Sequence, residues 1–399
     1  MSNKLMVAGA VIFLIVLLAV GFVTGVVVGH LYDIPSVGTI SPAPGPYNLE
    51  LVEEAMAQIH NSYVKKVPAR KLIQGAIKGM MESLDDPYSR YYTKADFRYL
   101  QEESRGHFFG VGIELGLKDH KITVVAPMDN TPASRAGIKA GDFIIKIDGK
   151  VTQNMSLNEA VERIRGDEGT TVVLVMSRTG AKEPLTFKLV RQKISMPNVV
   201  SKTIDPGIGY VRLHAFTEDS GSKVAEALEE LKRKGIKGII LDLRNNPGGV
   251  LDESVKIASN FIETGPIVSV KGRTEGSQTY VARGNAYDFK LVILVNKGSA
   301  SASEIVAGAV QDTKRGVLVG EKTFGKGSVQ SVIDLSDGSG LTMTVAEYFT
   351  PKGRSIHKKG VKPDVTVPLE KNGEKDNQLE KAKEILRLLI RGKDWKEAA

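Results

Sequence analysis

Five short apolar, largely β-branched runs, at 209–213, 239–243, 267–270, 291–295 and 317–319, are spaced by stretches long enough for helices, and this alternation most narrows the folds open to the chain. Runs such as Leu291-Val292-Ile293-Leu294-Val295 have no polar face, so both sides of the strand must be covered. Helical patterns fit 222–234 and 251–263 between them, giving βαβ units and a mostly parallel sheet in an α/β core. In such a sheet the reactive crevice lies beyond the carboxyl ends of the strands. Three loops qualify there: Arg244-Asn245-Asn246-Pro247-Gly248-Gly249, Asn296-Lys297-Gly298-Ser299-Ala300-Ser301, and Gly320-Glu321-Lys322-Thr323-Phe324-Gly325-Lys326.

The chemistry those loops offer is a hydroxyl and an amine. Cysteine is absent, which excludes thiolate nucleophiles, thiolate metal sites and disulfides. Ser301 precedes a buried-face pattern over 304–312, so it starts a helix, where unpaired amides favour an anion. The Ala302 amide suits a developing oxyanion, and Gly248 or Gly249 would supply a second one. Lys326 must shed its proton to act as a base, which requires burial; Phe324, Gly325, Gly327 and Val329 around it bring no carboxylate, and Gln330 is placed to orient the amine. The competing reading of Ser301 is a helix cap, and that of Lys326 a solvated charge. Gly320 to Lys326 also fits the start of a phosphate-binding loop, but Gly327 stands where Ser or Thr should hold magnesium, and 328–332 alternates like a strand.

Upstream the periodicity changes. Residues 5–28 carry no charge and span about 36 Å as a helix, enough for a hydrocarbon core of about 30 Å. We read them as a single-pass transmembrane anchor, the competing reading being a cleaved signal peptide; with Lys4 on the cytoplasmic side, the remainder is extracytoplasmic. A Pro-rich linker, 29–47, leads to a helical region, 48–100, with a break at Pro68, a cap or oligomerisation unit that would allow a homodimer. Strand-like runs fill 101–190, with one helix opened by the capping box Ser156-Leu157-Asn158-Glu159 and ending at Gly166. The α/β core covers 191–370 with a hairpin turn at 336–340, and 371–399 holds an amphipathic helix over 377–390. The net charge of +8 is interspersed with acidic residues, so nucleic acid is not expected as a partner. No metal or other cofactor is expected.

Two resemblances sharpen this. Phe109-Gly110-Val111-Gly112-Ile113, with Pro132-Ala133-Ser134-Arg135-Ala136-Gly137-Ile138 and Ile147-Asp148-Gly149, resembles a PDZ domain of bacterial proteases. It implies that Gly110, Val111, Gly112 and Ile113 form the loop that holds a peptide's C-terminal carboxylate, beside a strand edge that accepts the peptide. The motifs Leu241-Asp242-Leu243-Arg244-Asn245-Asn246-Pro247-Gly248-Gly249, Gly298-Ser299-Ala300-Ser301-Ala302-Ser303-Glu304-Ile305 and Gly320 to Gln330 resemble the carboxyl-terminal processing (tail-specific) serine proteases. That resemblance implies Ser301 as nucleophile, Lys326 as general base and Gln330 as its assistant, acting on proteins or peptides with free apolar C-termini. The PDZ unit is expected to gate the site, with Arg163 and Arg165 as candidate couplers. A PDZ scaffold with an inactive core is the alternative reading.

Overall fold

The computed structural model describes residues 49–118, 121–196, 198–274, 276–370 and 376–398, and the chain divides into two compact units, 1–73 and 74–399. The anchor and linker expected over 5–28 and 29–47 lie outside the described residues. Among those described, no helix is long and apolar enough to cross a membrane.

The described part of the first unit holds helix α1 (Glu50–Ser62) and the start of α2 (Ala69–Glu82). Pro68 stands just ahead of α2, where its missing N–H costs nothing. α1 buries none of its residues, leaving Leu51, Val52 and Ile59 exposed.

In the second unit, β1 (Arg90–Tyr92) leads into α3 (Lys94–Arg105), whose ends are set locally: the Thr93 hydroxyl accepts the Asp96 amide, and Gly106 closes the helix in the left-handed conformation. A two-stranded ribbon of β2 (His107–Gly110) and β9 (Gln192–Ser195) then frames a separate sheet. That sheet contains β3 (Ile113–Lys118), β4 (Lys121–Pro127), β5 (Phe143–Ile147), β7 (Thr171–Ser177) and β8 (Leu185–Val190) in that order, with β6 (Lys150–Val151) on β5 and the short helix α4 (Pro132–Arg135) before β5. Helix α5 (Leu157–Ile164) contributes Ala160 and Ile164 to its core, against Val111, Ile122, Ile144 and Val172. Ser156 caps α5 by accepting the Glu159 amide, but the reciprocal half of the expected capping box is missing, because the Glu159 carboxylate pairs with Arg163 instead.

The remaining chain forms the expected mostly parallel sheet: β10 (Val199–Asp205), β11 (Ile208–Leu213), β12 (Gly238–Asp242), β15 (Lys290–Val295), β16 (Val317–Gly320) and β19 (Val365–Thr366), in that order, with only β10 antiparallel. Successive residues of each strand face opposite layers. Ile239, Leu241, Ile293 and Leu318 pack under α6 (Ser220–Arg233), α7 (Leu251–Ser259) and α8 (Ala302–Asp312). Ile240, Val292, Leu294 and Val319 face α9 (Asn377–Ile390), whose Ala382, Ile385 and Leu386 cover the other side. The tail helix thus packs within the chain.

One expected strand moves. The 267–270 run lies in β13 (Pro266–Gly272), which belongs to a second, antiparallel sheet with β14 (Ser277–Val281), β18 (Gly340–Phe349) and β1, while β17 (Ser328–Asp334) joins the other edge of β18. Its physical reason is in the residues: Ser269 and Lys271 interrupt the apolar run, so this strand tolerates a half-exposed position that the parallel sheet does not offer. Ile385→Ala in the helix that closes that parallel sheet is expected to cost about 2–5 kcal/mol, read as a lower urea midpoint at an unchanged slope.

Candidate active site

β12, β15 and β16 are neighbours and parallel, so the three loops that follow them open on one rim. Polar side chains bolt the first two loops together. Asn245 and Asn296 exchange two hydrogen bonds of 2.8 and 2.9 Å, the Ser299 hydroxyl donates to the Leu243 carbonyl at 2.8 Å, and the Ser303 hydroxyl donates to the Asn246 carbonyl at 3.0 Å. Both of those serines are fully buried in structural bonds. Ser301, between them, is partly exposed, and its φ of 54° puts a non-glycine residue in strained backbone at the head of α8. The Tyr348 phenol beside it donates to the Lys326 carbonyl oxygen.

Glu304, one turn into α8 and fully buried, ties the third loop to the second. One carboxylate oxygen accepts the Ser301 and Lys326 amides, both at 2.9 Å, while the other accepts the Thr323 hydroxyl at 2.5 Å and the Gly325 amide at 2.8 Å. Burial pushes its pKa up against the pull of those four donors. It also helps burial to hold the Tyr348 phenol well above the usual tyrosine range.

The Lys326 amine is pushed below the ordinary lysine value by burial, an effect that Arg90 reinforces and Asp86 opposes. Its Nζ lies 4.8 Å from the centre of the Tyr88 ring. The expected desolvation is therefore the dominant influence, but the local sequence concealed the carboxylate, which arrives from far upstream. No hydrogen bond joins Ser301 Oγ to Lys326 Nζ or Gln330 to the amine; Gln330 Nε2 donates to Ser328 Oγ at 2.9 Å and to Thr344 Oγ1 at 3.1 Å. The stretch 320–327 runs into strand β17 rather than opening a helix, unlike a phosphate-binding loop.

The two glycines divide their work. The Gly248 amide donates to Asn246 Oδ1 at 2.9 Å. Its own role is close packing: a Cβ there would stand 2.7 Å from Ser301 Cβ and 2.9 Å from the Ala302 nitrogen. The amides of Gly249 and Ala302 have no acceptor among the described residues. Behind this loop, Arg244 forks onto Asp242 and Asp376 and also reaches Gln378, so the start of α9 braces the rim. Burial opposes the Arg244 charge, yet the two carboxylates hold it firmly protonated.

Away from this rim, Gly110 to Ile113 join β2 to β3. The Val111 and Gly112 carbonyls accept the Ala133 and Met128 amides at 2.9 Å, while the Val111 and Gly112 amides donate to no group among the described residues. Gly112, at φ 75°, packs so tightly on Thr131 that a side chain would overlap it. β3 pairs with β4 on one edge only, with α5 alongside. Arg165, past the end of α5, pairs with Glu102 of α3 at 2.7 Å and stacks on Phe108 and Tyr99; Arg163 pairs within its own helix.

Sequence reasoning missed Glu304, Tyr348 and Asp86 as parts of this site. The capping pattern Ser301-x-x-Glu304 was a usable signal for Glu304; the other two had none. Glu304→Gln would turn an amide NH2 toward buried donors and is expected to cost about 1–3 kcal/mol in chemical denaturation, with peptidase activity falling further than stability.

Three family profiles match the chain: Peptidase family S41 over 207–367, a PDZ domain over 123–178, and the Activating protease CtpB N-terminal domain over 39–95. A Carboxy-terminal-processing protease of Bartonella bacilliformis is 42% identical over 78% of this chain and 73% of its own length. Carboxy-terminal processing protease CtpA of Bacillus subtilis is 39% identical over 83% of this chain and 72% of its own length. A Bacteroides fragilis structure described as an S41 protease shares the fold at a TM-score of 0.50 and 16% identity, covering 88% of this chain and all 100% of that one. With the strained Ser301, the loops gathered on Glu304 and these relatives together, the chain belongs to peptidase family S41 and is a serine-type endopeptidase of the carboxy-terminal processing group.

Proposed function

We propose that this enzyme is a single-pass protein of the bacterial cell membrane, anchored through 5–28 with its catalytic part outside the cytoplasm, that cleaves proteins recognised by free apolar C-terminal tails. Behind the anchor and the 29–47 linker, the working regions are a helical region over 48–100, a PDZ domain over 101–190, a peptidase core over 191–370 and a C-terminal helix over 371–399. The observation that carries the chemistry is the Glu304 carboxylate, which holds the Ser301 and Lys326 backbones on one oxygen.

In this reading Lys326, neutral, takes the Ser301 proton as Oγ attacks the scissile carbonyl, with Gln330 assisting the amine. The free amides of Ala302 and Gly249 receive the oxyanion, the lysinium donates to the leaving amine, and water releases the acyl-enzyme. Burial of Lys326 favours the neutral amine this step needs. The unbonded Val111 and Gly112 amides, within the Gly110 to Ile113 loop, support carboxylate capture beside the open edge of β3. Arg165, bonded to Glu102, is the better of the two candidate couplers between that groove and the rest of the chain. The exposed apolar residues of α1 suit pairing with a second copy as a homodimer.

The test is cleavage of a peptide with an apolar C-terminus. Ser301→Ala and Lys326→Ala are each expected to abolish turnover in a folded protein, and retained activity in either would remove the dyad. Amidating the peptide's C-terminus is expected to raise KM; unchanged cleavage would exclude carboxylate recognition. Because only the neutral amine is a base, kcat/KM is expected to rise with pH along a limb whose midpoint lies below the ordinary lysine value of 10.5.

A further inference from the structure

We propose that Asp86, on the turn ahead of β1, is a positioning residue for acyl transfer: through Thr344 it sets which end of the Gln330 amide is offered to Lys326, and its charge steadies the lysinium that forms. This rests on the Ser301, Lys326 and Gln330 reading above.

The geometry begins in β18. One edge of this strand pairs with β1 at 340–342 and with β13 at 346–349, leaving Thr344 between the two partners. The turn Asp86-Pro87-Tyr88-Ser89 fills that gap: Ser89 Oγ accepts the Thr344 amide at 3.0 Å, and Thr342 Oγ1 donates to the Tyr88 carbonyl at 3.1 Å. On the other edge, the register slips between Val329 and Gln330, and this bulge sets Gln330 opposite Thr344.

Hydrogen-bond polarity then runs one way. An ionised carboxylate only accepts, so Asp86 Oδ2 takes the protons of Thr344 Oγ1 and Ser89 Oγ, both at 2.6 Å. With its proton committed, Thr344 Oγ1 accepts from Gln330 Nε2 at 3.1 Å, and Ser328 Oγ takes the other amide proton at 2.9 Å. Both Gln330 donors are spent, so its Oε1 is left to accept from an N–H donor, and the lysine amine is that kind of group. Asp86 stays ionised: burial pushes its pKa up, but the bonds from Ser89, Thr344 and the Tyr88 amide, with His357 nearby, bring it below the usual range. The same turn places the Tyr88 ring against Lys326 Nζ.

The groups facing Lys326 are Asp86, Tyr88 and Arg90 from this turn and β1, Glu304 of α8 on its amide, and Tyr348 of β18 on its carbonyl; His357 adjoins Asp86. Only Asp86 raises the amine's pKa. Asp86→Asn removes the charge and the one-way polarity together. It is expected to lower kcat/KM about tenfold to a hundredfold with little change in KM, and to move the ascending pH limb to lower pH. Thr344→Val cuts the relay and keeps the charge, so the rate should fall with the limb unmoved, and Thr344→Ser should recover most of the loss.

A thermal melt of each variant identifies any that fail to fold, and the two Thr344 variants carry the test if Asp86→Asn is one of them. Wild-type rates in folded Asp86→Asn or Thr344→Val, or equal losses in Thr344→Val and Thr344→Ser, would overturn the proposal. The dyad reading fails separately, if Lys326→Ala retains turnover; inactive Lys326→Ala beside a fully active Asp86→Asn would remove Asp86 alone.

Discussion

A single buried carboxylate holds the catalytic rim in register. Glu304 accepts four hydrogen bonds from two loops that follow different strands, and it sits where bulk water cannot substitute for any of them. The strained backbone of Ser301 persists because its amide is held by Glu304 at one side and its Cβ is packed by Gly248 at the other. The helix start, with Ser301 at its cap, is also a place where a hydroxyl stands beside free amides.

Around that centre the fold acts as a frame in two layers. The parallel sheet delivers three loops to one rim because neighbouring parallel strands end on the same side. The antiparallel sheet brings Tyr348 and Gln330 to the same place, and β18 is its spine: β17, β13 and β1 all pair with it. β1 therefore brings the segment just after the N-terminal helices to the Lys326 loop, since its preceding turn carries Asp86 and Tyr88. The C-terminal helix reaches the rim from the opposite direction, through Asp376 and Arg244.

Much of this was legible in the residues, for identifiable reasons. The apolar runs at 239–243 and 291–295 report burial on both faces, and the buried-face pattern over 304–312 places a helix start at Ser301. The helix over 377–390 was readable with its ends, because its apolar stripe and acidic first turn are local properties. The 267–270 strand was misassigned because three apolar residues around a serine do not say which of two sheets will pair with them. The bond that occupies the Gly248 amide was hidden because it depends on the side chain of Asn246, which folds back on its own loop.

The sequence by itself determined the candidates for the site: a serine, a lysine and a glutamine on strand-end motifs, and a glycine loop before an edge strand. These are consequences of short-range pattern, since burial, capping and turn chemistry act within a few residues. Tertiary structure alone decided the company those residues keep. Asp86, Glu304 and Tyr348 surround the lysine loop from three separate elements, and the proton affinity of an amine depends on distance and burial, which pay no attention to separation along the chain.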